Sequence, residues 1–300
     1  MSETATGDGA GRMTVRRMGF AYPAAMSGHW NKRRPEFSQI VNAASLAMPY
    51  LEPYLIKTMR EARPRIRNAA LQAALDDYVA QEAMHFRQHR KFNDELKARG
   101  YKSIGAIEDQ LADDYRRLGA TRSLEFNLAY AEGFESMALA IGQMLIADRR
   151  FLFGDSESGV ASLVLWHFVE EIEHKNVAYD VFEHLAGNYF RRIYGLLYAT
   201  AHIMWRTRGG YQALLKEDGL WRDRRSRVAL GLLLLRIFAQ LTPKMLRIMV
   251  PFYNPRQVKD PAWALSWARL FKIDNAGAGR LDTSLLDAPE PVAFSGGETK

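Results

Sequence analysis

Four stretches of this chain carry apolar residues at alternating spacings of three and four, and each stripe is interrupted by glutamate or histidine. One reads Leu71, Leu75, Tyr78, Glu82, His85, His89, and another reads Val160, Val164, His167, Glu171, His174, Ala178, Val181, Leu185. A third reads Glu125, Leu128, Glu132, Glu135, Leu139, and the fourth Met48, Glu52, Leu55, Met59. The spacing is that of helices facing a bundle core. Several carboxylates on such seams, with no cations beside them, would each cost several kcal/mol if left uncompensated. A chain patterned in this way has to fold as a helical bundle and has to find its inward acids a partner.

Strand signals are nearly absent, so the expected fold is all-α: a four-helix bundle followed by additional C-terminal helices. Helices are expected over about 35–61, 65–99, 106–118, 121–149, 160–185, 189–207, 211–216, 224–249 and 261–271. Pro49 and Pro53 fall inside the first, which predicts a kink or break near Pro49, because proline lacks the N–H that a helix interior uses. Residues 1–30 read as a flexible arm, 31–273 as one all-helical domain and 274–300 as a flexible tail. Within the domain the bundle core is expected over about 36–186 and a basic, apolar helical extension over about 189–272.

There are no cysteines, which excludes disulfides, zinc–thiolate sites and iron–sulfur clusters together. Any metal must be held by carboxylate and by some of the seven histidines. Glu-x-x-His places its two side chains roughly 60° apart on a helix. Two helices offer that pair, Glu82 with His85 and Glu171 with His174. Two others offer a lone glutamate, Glu52 and Glu132. This is the ligand inventory of a di-metal carboxylate bundle. Four carboxylates neutralise two divalent ions and can bridge them, and the imidazoles complete each ion. Glu170 competes with Glu171 for the ligand position, the latter fitting the stripe better. His167 is a further candidate ligand. With Glu135 it is also a candidate for proton handling, while His89, Glu170 and Tyr78 are expected to support the ligands from behind. Glu125 is read with Glu135 as an outer group.

The formal net charge is +7, and it is uneven: 14 Lys or Arg against 4 Asp or Glu between Tyr189 and Asp260. Basic residues among apolar runs there suggest weak peripheral contact with an anionic membrane surface through 189–260, or simply solvated helix flanks. Nothing resembles a nucleic-acid-reading module. The start of the chain has no cationic segment followed by an apolar run, so the cytoplasm is the expected location.

The run Trp166–Phe182, WHFVEEIEHKNVAYDVF, resembles the central motif of a bacterial family described as predicted metal-dependent hydrolases, among the ferritin-like bundles. Gln81–Asn93, Met48–Leu55 and Met249–Asp260 resemble further segments of that family in order, and the likeness spans about 35–272. It implies a ferritin-like fold and metal positions at Glu52, Glu82, His85, Glu132, Glu171 and His174. It departs at Gly133, where the family often carries a histidine. The leading functional expectation is a non-haem di-iron oxidase or oxygenase acting on a small, hydrophobic molecule and drawing on an electron donor. Iron is the expected metal, with manganese or zinc as alternatives. The family description implies instead a metal-dependent hydrolase, with a metal-bridging hydroxide as nucleophile. A third reading is a non-enzymatic metal-binding or peripheral membrane protein. The oligomeric state is open, a dimer being one expectation.

Overall fold

Helix α1 (Pro35–Ala62) runs unbroken through both of its internal prolines. The expected break does not occur, and the reason lies in the neighbouring helix. Pro49 cannot donate to the carbonyl of Ser45, and Asn93 Nδ2 donates to that oxygen instead, at 3.1 Å. Pro53 likewise frees the carbonyl of Pro49, and Arg90 Nη2 reaches it at 3.3 Å. Each carbonyl orphaned by proline is therefore satisfied by a side chain of α2 (Ala69–Ala98).

The computed structural model describes residues 12–292 and is 72% helical, with ten α-helices among them. After α2 come α3 (Ile104–Thr121), α4 (Leu124–Ala147), the short α5 (Arg149–Phe153), α6 (Ser158–Glu173) and α7 (Val177–Ala186). Then follow α8 (Tyr189–Glu217), α9 (Arg224–Ile248) and α10 (Ala262–Leu270). Side chains of Asn68, Ser123, Asn188 and Asp223 cap the first turns of α2, α4, α8 and α9, each accepting a backbone N–H. The described residues hold no strand, only an isolated bridge between Leu281 and Pro291.

The bundle closes as a ring: α1 packs on α2, α2 on α6 and α7, α4 on both of those, and α1 on α4. Helix α8 lies across α4 and α1, and its closest approach to α4 is made by glycine. A Cβ at Gly195 would stand 2.1 Å from the Ala129 carbonyl, and one at Gly133 would stand 2.5 Å from the Leu196 backbone. The departure at Gly133 thus has a packing reason, because a histidine there would collide with α8.

Three helix boundaries differ from expectation. The expected helix over 160–185 bends at His174–Asn176 into α6 and α7. The expected pair over 189–216 is one helix, α8, since packing of Gly210 against Ala43 outweighs the weak propensity of Gly209-Gly210. Arg149 belongs to the separate α5.

The two terminal segments are also corrected where they are described. Residues 12–30 form no helix, yet Met18, Phe20, Met26 and Trp30 are buried in the core, and Arg16 is buried with them. Apolar side chains at irregular spacing pin this strap to the bundle. In the tail, Ala278, Leu281 and Leu286 are buried, and Ser158 and Ser162 bond to Leu281. Residues 1–11 and 293–300, the ends of the expected arm and tail, lie outside the described residues.

Candidate metal centre

The four stripes converge. Glu52 from α1, Glu82 and His85 from α2, Glu135 from α4, and His167, Glu171 and His174 from α6 and its C-terminal cap are all buried. Three overlapping groups of ligand atoms each lie within 4.8 Å of one another: Glu52/His85/His167, Glu82/His85/Glu171 and Glu82/Glu135/His174. Glu82 Oε1 stands 3.5 Å from His85 Nδ1 and 3.4 Å from His174 Nε2. Glu171 Oε1 stands 3.1 Å from His167 and 3.6 Å from His85, while its Oε2 is 3.3 Å from His174. These two carboxylates therefore sit between two halves of the cluster. Glu52 closes one half, with Oε1 3.9 Å from His167, and Glu135 closes the other, with Oε2 3.4 Å from His174.

Glu132 is not part of this cluster. Its Oε1 accepts from Ser136 at 2.9 Å, and the Arg192 guanidinium is 3.9 Å away. The inward position expected of Glu132 is filled by Glu135, one turn later. Glu170 is also outside: it lies behind His85, against Nε2 of that ring. Glu125, at the start of α4, is not among the clustered groups.

The outer partners fix which nitrogen each imidazole turns inward. His85 Nε2 donates to Glu170 Oε2 at 3.0 Å, leaving Nδ1 facing the cluster. His174 Nδ1 donates to Gln81 Oε1 at 3.1 Å, leaving Nε2. The third histidine requires a longer chain. Asn93 uses its amide nitrogen on the Ser45 carbonyl, so its Oδ1 accepts from Ser45 Oγ at 2.7 Å. Ser45 Oγ then accepts from His89 Nδ1 at 2.8 Å, which makes His89 Nε2 an acceptor for His167 Nδ1 at 2.7 Å. His167 is left with a bare Nε2 facing Glu171. The partners fix which nitrogen each imidazole turns inward, and that nitrogen would offer its lone pair to a cation that displaces any proton there.

Atoms without hydrogen-bond partners mark the same place. Both oxygens of Glu52, one each of Glu82, Glu135 and Glu171, Nδ1 of His85 and Nε2 of His174 are buried and unsatisfied. Buried polar atoms are almost always paired, so seven orphans on residues of one cluster call for partners there. A cation with oxygen and nitrogen ligands fits; no thiolate is present to favour a softer ion.

Charge has the same logic. Burial, then the neighbouring Glu82, pushes Glu52 well above the usual carboxylate range, and burial with Glu171 does the same to Glu135. Burial works against protonated His85 and His174, yet Glu170 and Glu82 on the first, and Glu171 and Glu135 on the second, raise both strongly. Burial would raise Glu171, but His174 and His167 hold it well below its ordinary value. Burial, with His167 and His85 nearby, lowers His89 strongly, consistent with its neutral accepting role. Without a cation Glu52, Glu135, His85 and His174 are the groups pushed toward their protonated forms, and divalent ions would displace those protons.

The groups behind the ligands are themselves held. Tyr78 donates to Glu135 Oε1 at 2.7 Å. Arg16 bonds Glu170 at 2.8 Å and Glu173 at 2.7 Å, so the strap secures His85 through Glu170. Sequence reasoning named Tyr78, His89 and Glu170 and missed Arg16, Ser45, Gln81 and Asn93. Gln81 precedes Glu82 on α2 and Asn93 is one turn after His89, which was the available signal for those two.

Comparison with curated proteins and with solved structures returned no match. A family model described as "Predicted metal-dependent hydrolase" matches residues 14–259. That span takes in most of the strap, the four ligand-bearing helices, α8 and α9. This chain belongs to the family of predicted metal-dependent hydrolases.

Proposed function

We propose that the protein is a metal-dependent hydrolase whose centre takes two divalent cations. The observation that carries the reading is that seven buried ligand atoms without hydrogen-bond partners, His85 Nδ1 and His174 Nε2 among them, gather in one cluster with His167. Glu52, His85 and His167 would hold one ion, Glu135 and His174 the other, and Glu82 and Glu171 would be shared. Such ions, when bound, lower the pKa of coordinated water and polarise a carbonyl or phosphoryl oxygen.

The chain's own groups supply the rest. Tyr78 engages one oxygen of Glu135 and leaves the other turned inward. The His89–Ser45–Asn93 chain behind His167 keeps its Nδ1 protonated and its Nε2 turned to the centre, so His167 acts in this reading as a ligand and not in the proton-handling role expected of it. Glu135 takes a ligand role in this reading instead of the proton-handling one. The aromatic and aliphatic residues around the centre keep bulk water away, since Trp166 packs on His85 with ring centroids 4.8 Å apart and Tyr78 on His174 at the same distance.

The test is anaerobic assay of Zn²⁺- or Mn²⁺-loaded protein against ester, amide and phosphoester panels, with metal content measured in parallel. Turnover without O₂ that disappears in Glu82→Ala supports hydrolysis. A second reading, O₂-dependent oxidation by an iron-loaded centre with an external electron donor, is favoured by the four carboxylates and the absence of thiolates. It predicts an absorbance change when the anaerobic Fe(II) protein meets O₂, and no hydrolytic turnover.

A further inference from the structure

Helix α9 is apolar on both sides. Its inner face buries Leu230, Leu233 and Ile248 against the bundle. Its outer face carries Val228, Leu232, Leu235, Ala239, Thr242 and Leu246, a stripe at spacings of three and four. Val228, Leu232 and Leu235 are 62%, 64% and 67% exposed, and each would be stabilised by some further cover. Helix α8 repeats the pattern outward with Phe190, Tyr194, Leu197, Met204 and Trp205.

By length and composition α9 could cross a membrane, although only 11% of its most apolar stretch is buried. Its side bonds place it along the bundle instead. Arg236 and Gln240 both bond Asp148, and Arg192 of α8 holds the Ile248 and Val250 carbonyls at its far end.

Cations rim this surface. Arg208, Lys216, Arg222, Arg224 and Arg225 are exposed and make no ion pair among the described residues. Lys216, Gly219, Trp221, Arg222 and Arg227 line an open cavity of about 830 Å³ at the turn between α8 and α9. The acids of the same region are already committed. Glu217 accepts from the Lys102 and Ser103 amides, Asp218 from Gln39 and Tyr101, Asp223 caps α9, and Asp260 pairs with Lys175. A second copy docking through this face would therefore bring cations with no acids to meet them.

We propose that this face docks on an anionic lipid bilayer, with the outer stripe of α9 in the acyl boundary and the cationic turn at the headgroups. An amphipathic surface helix with basic and aromatic flanks binds in this way, through apolar burial plus attraction to anionic lipid. The proposal is independent of the metal centre and of the reaction it runs.

Flotation of the full-length protein with vesicles tests it, using phosphatidylcholine alone and an equimolar mixture with phosphatidylglycerol. The expected result is co-flotation with the mixed vesicles that weakens as salt rises, and little with phosphatidylcholine. Leu232→Glu with Leu235→Glu, and separately Arg222→Glu with Arg225→Glu, should each lower binding by about tenfold or more. Circular dichroism and metal content should be unchanged, which separates lost docking from lost folding. Absence of flotation overturns the proposal, as does binding indifferent to both double variants. A dimer by light scattering that Leu235→Glu splits, without vesicle binding, assigns the face to a second copy instead.

Discussion

Replacing Glu132 by glutamine separates two roles that α4 offers one turn apart. Burial, against the pull of Arg192 and Ser136, pushes the Glu132 carboxyl from 4.5 to about 7. A carboxyl whose pKa is raised on folding is stabilised in its protonated form. Its contribution is complete below the unfolded value near 4.5 and is lost as pH rises through about 7. At about 1.4 kcal/mol per unit, the loss between roughly pH 5.5 and pH 8 is on the order of 2 kcal/mol.

Glutamine keeps the acceptor for Ser136 and cannot ionise. In urea unfolding of metal-loaded protein, Glu132→Gln should therefore gain stability over the parent by about 2 kcal/mol across that window, with the advantage growing toward alkaline pH. Metal content should equal that of the parent, because Glu132 stands apart from the clustered ligand atoms. A stability difference that is flat with pH would mean that Glu132 is ionised throughout. Loss of metal would mean that Glu132 is a ligand after all, and either result refutes the reasoning.

Glu135→Ala should do what Glu132→Gln does not, lowering bound metal per chain as read by elemental analysis; unchanged content would return the ligand role to Glu132. Arg16→Met leaves Glu170 buried without its cation, which should cost about 3–5 kcal/mol in chemical unfolding. Because Glu170 orients His85, the same variant should weaken metal binding by roughly 10–100-fold in a chelator competition titration, and an unaltered affinity would disconnect the strap from the centre. Gly133→Ala drives a methyl into the α8 backbone and should cost about 1–3 kcal/mol, read as a lowered midpoint of thermal unfolding, whereas a neutral result would deny the tight α4–α8 crossing.

Much of the site was legible because helical phase survives in a sequence. Glu52, Glu82, His85, His167, Glu171 and His174 lie on stripes whose other members are apolar, so the interruptions stand out. Helix α4 is different. Every residue from Asn127 to Ala140 is buried, so its pattern has no polar face to set against an apolar one. Glu132 and Glu135 lie only about 60° apart, both within any reasonable core-facing arc, and phase alone cannot rank them. The unbroken run of α1 was hidden for another reason. The groups that satisfy its orphaned carbonyls, Arg90 and Asn93, lie 41 and 48 residues away on a separate helix.

The strap shows why a metal centre of this kind involves more than its ligands. An extended segment has no period of 3.6, so Arg16 carries no local signal, and the surrounding Met18 and Phe20 look like scattered apolar residues. Yet burying Glu170 behind His85 creates a charge that α2 meets only through the histidine itself. Arg16 is the cation that meets it, with the N-terminal segment drawn over the bundle and fixed by its buried methionines and aromatics. The orientation of one ligand thus depends on packing of a segment with no regular structure. Loosening that packing, for example through Phe20, should be felt as a weaker hold on metal before it is felt as loss of the helices.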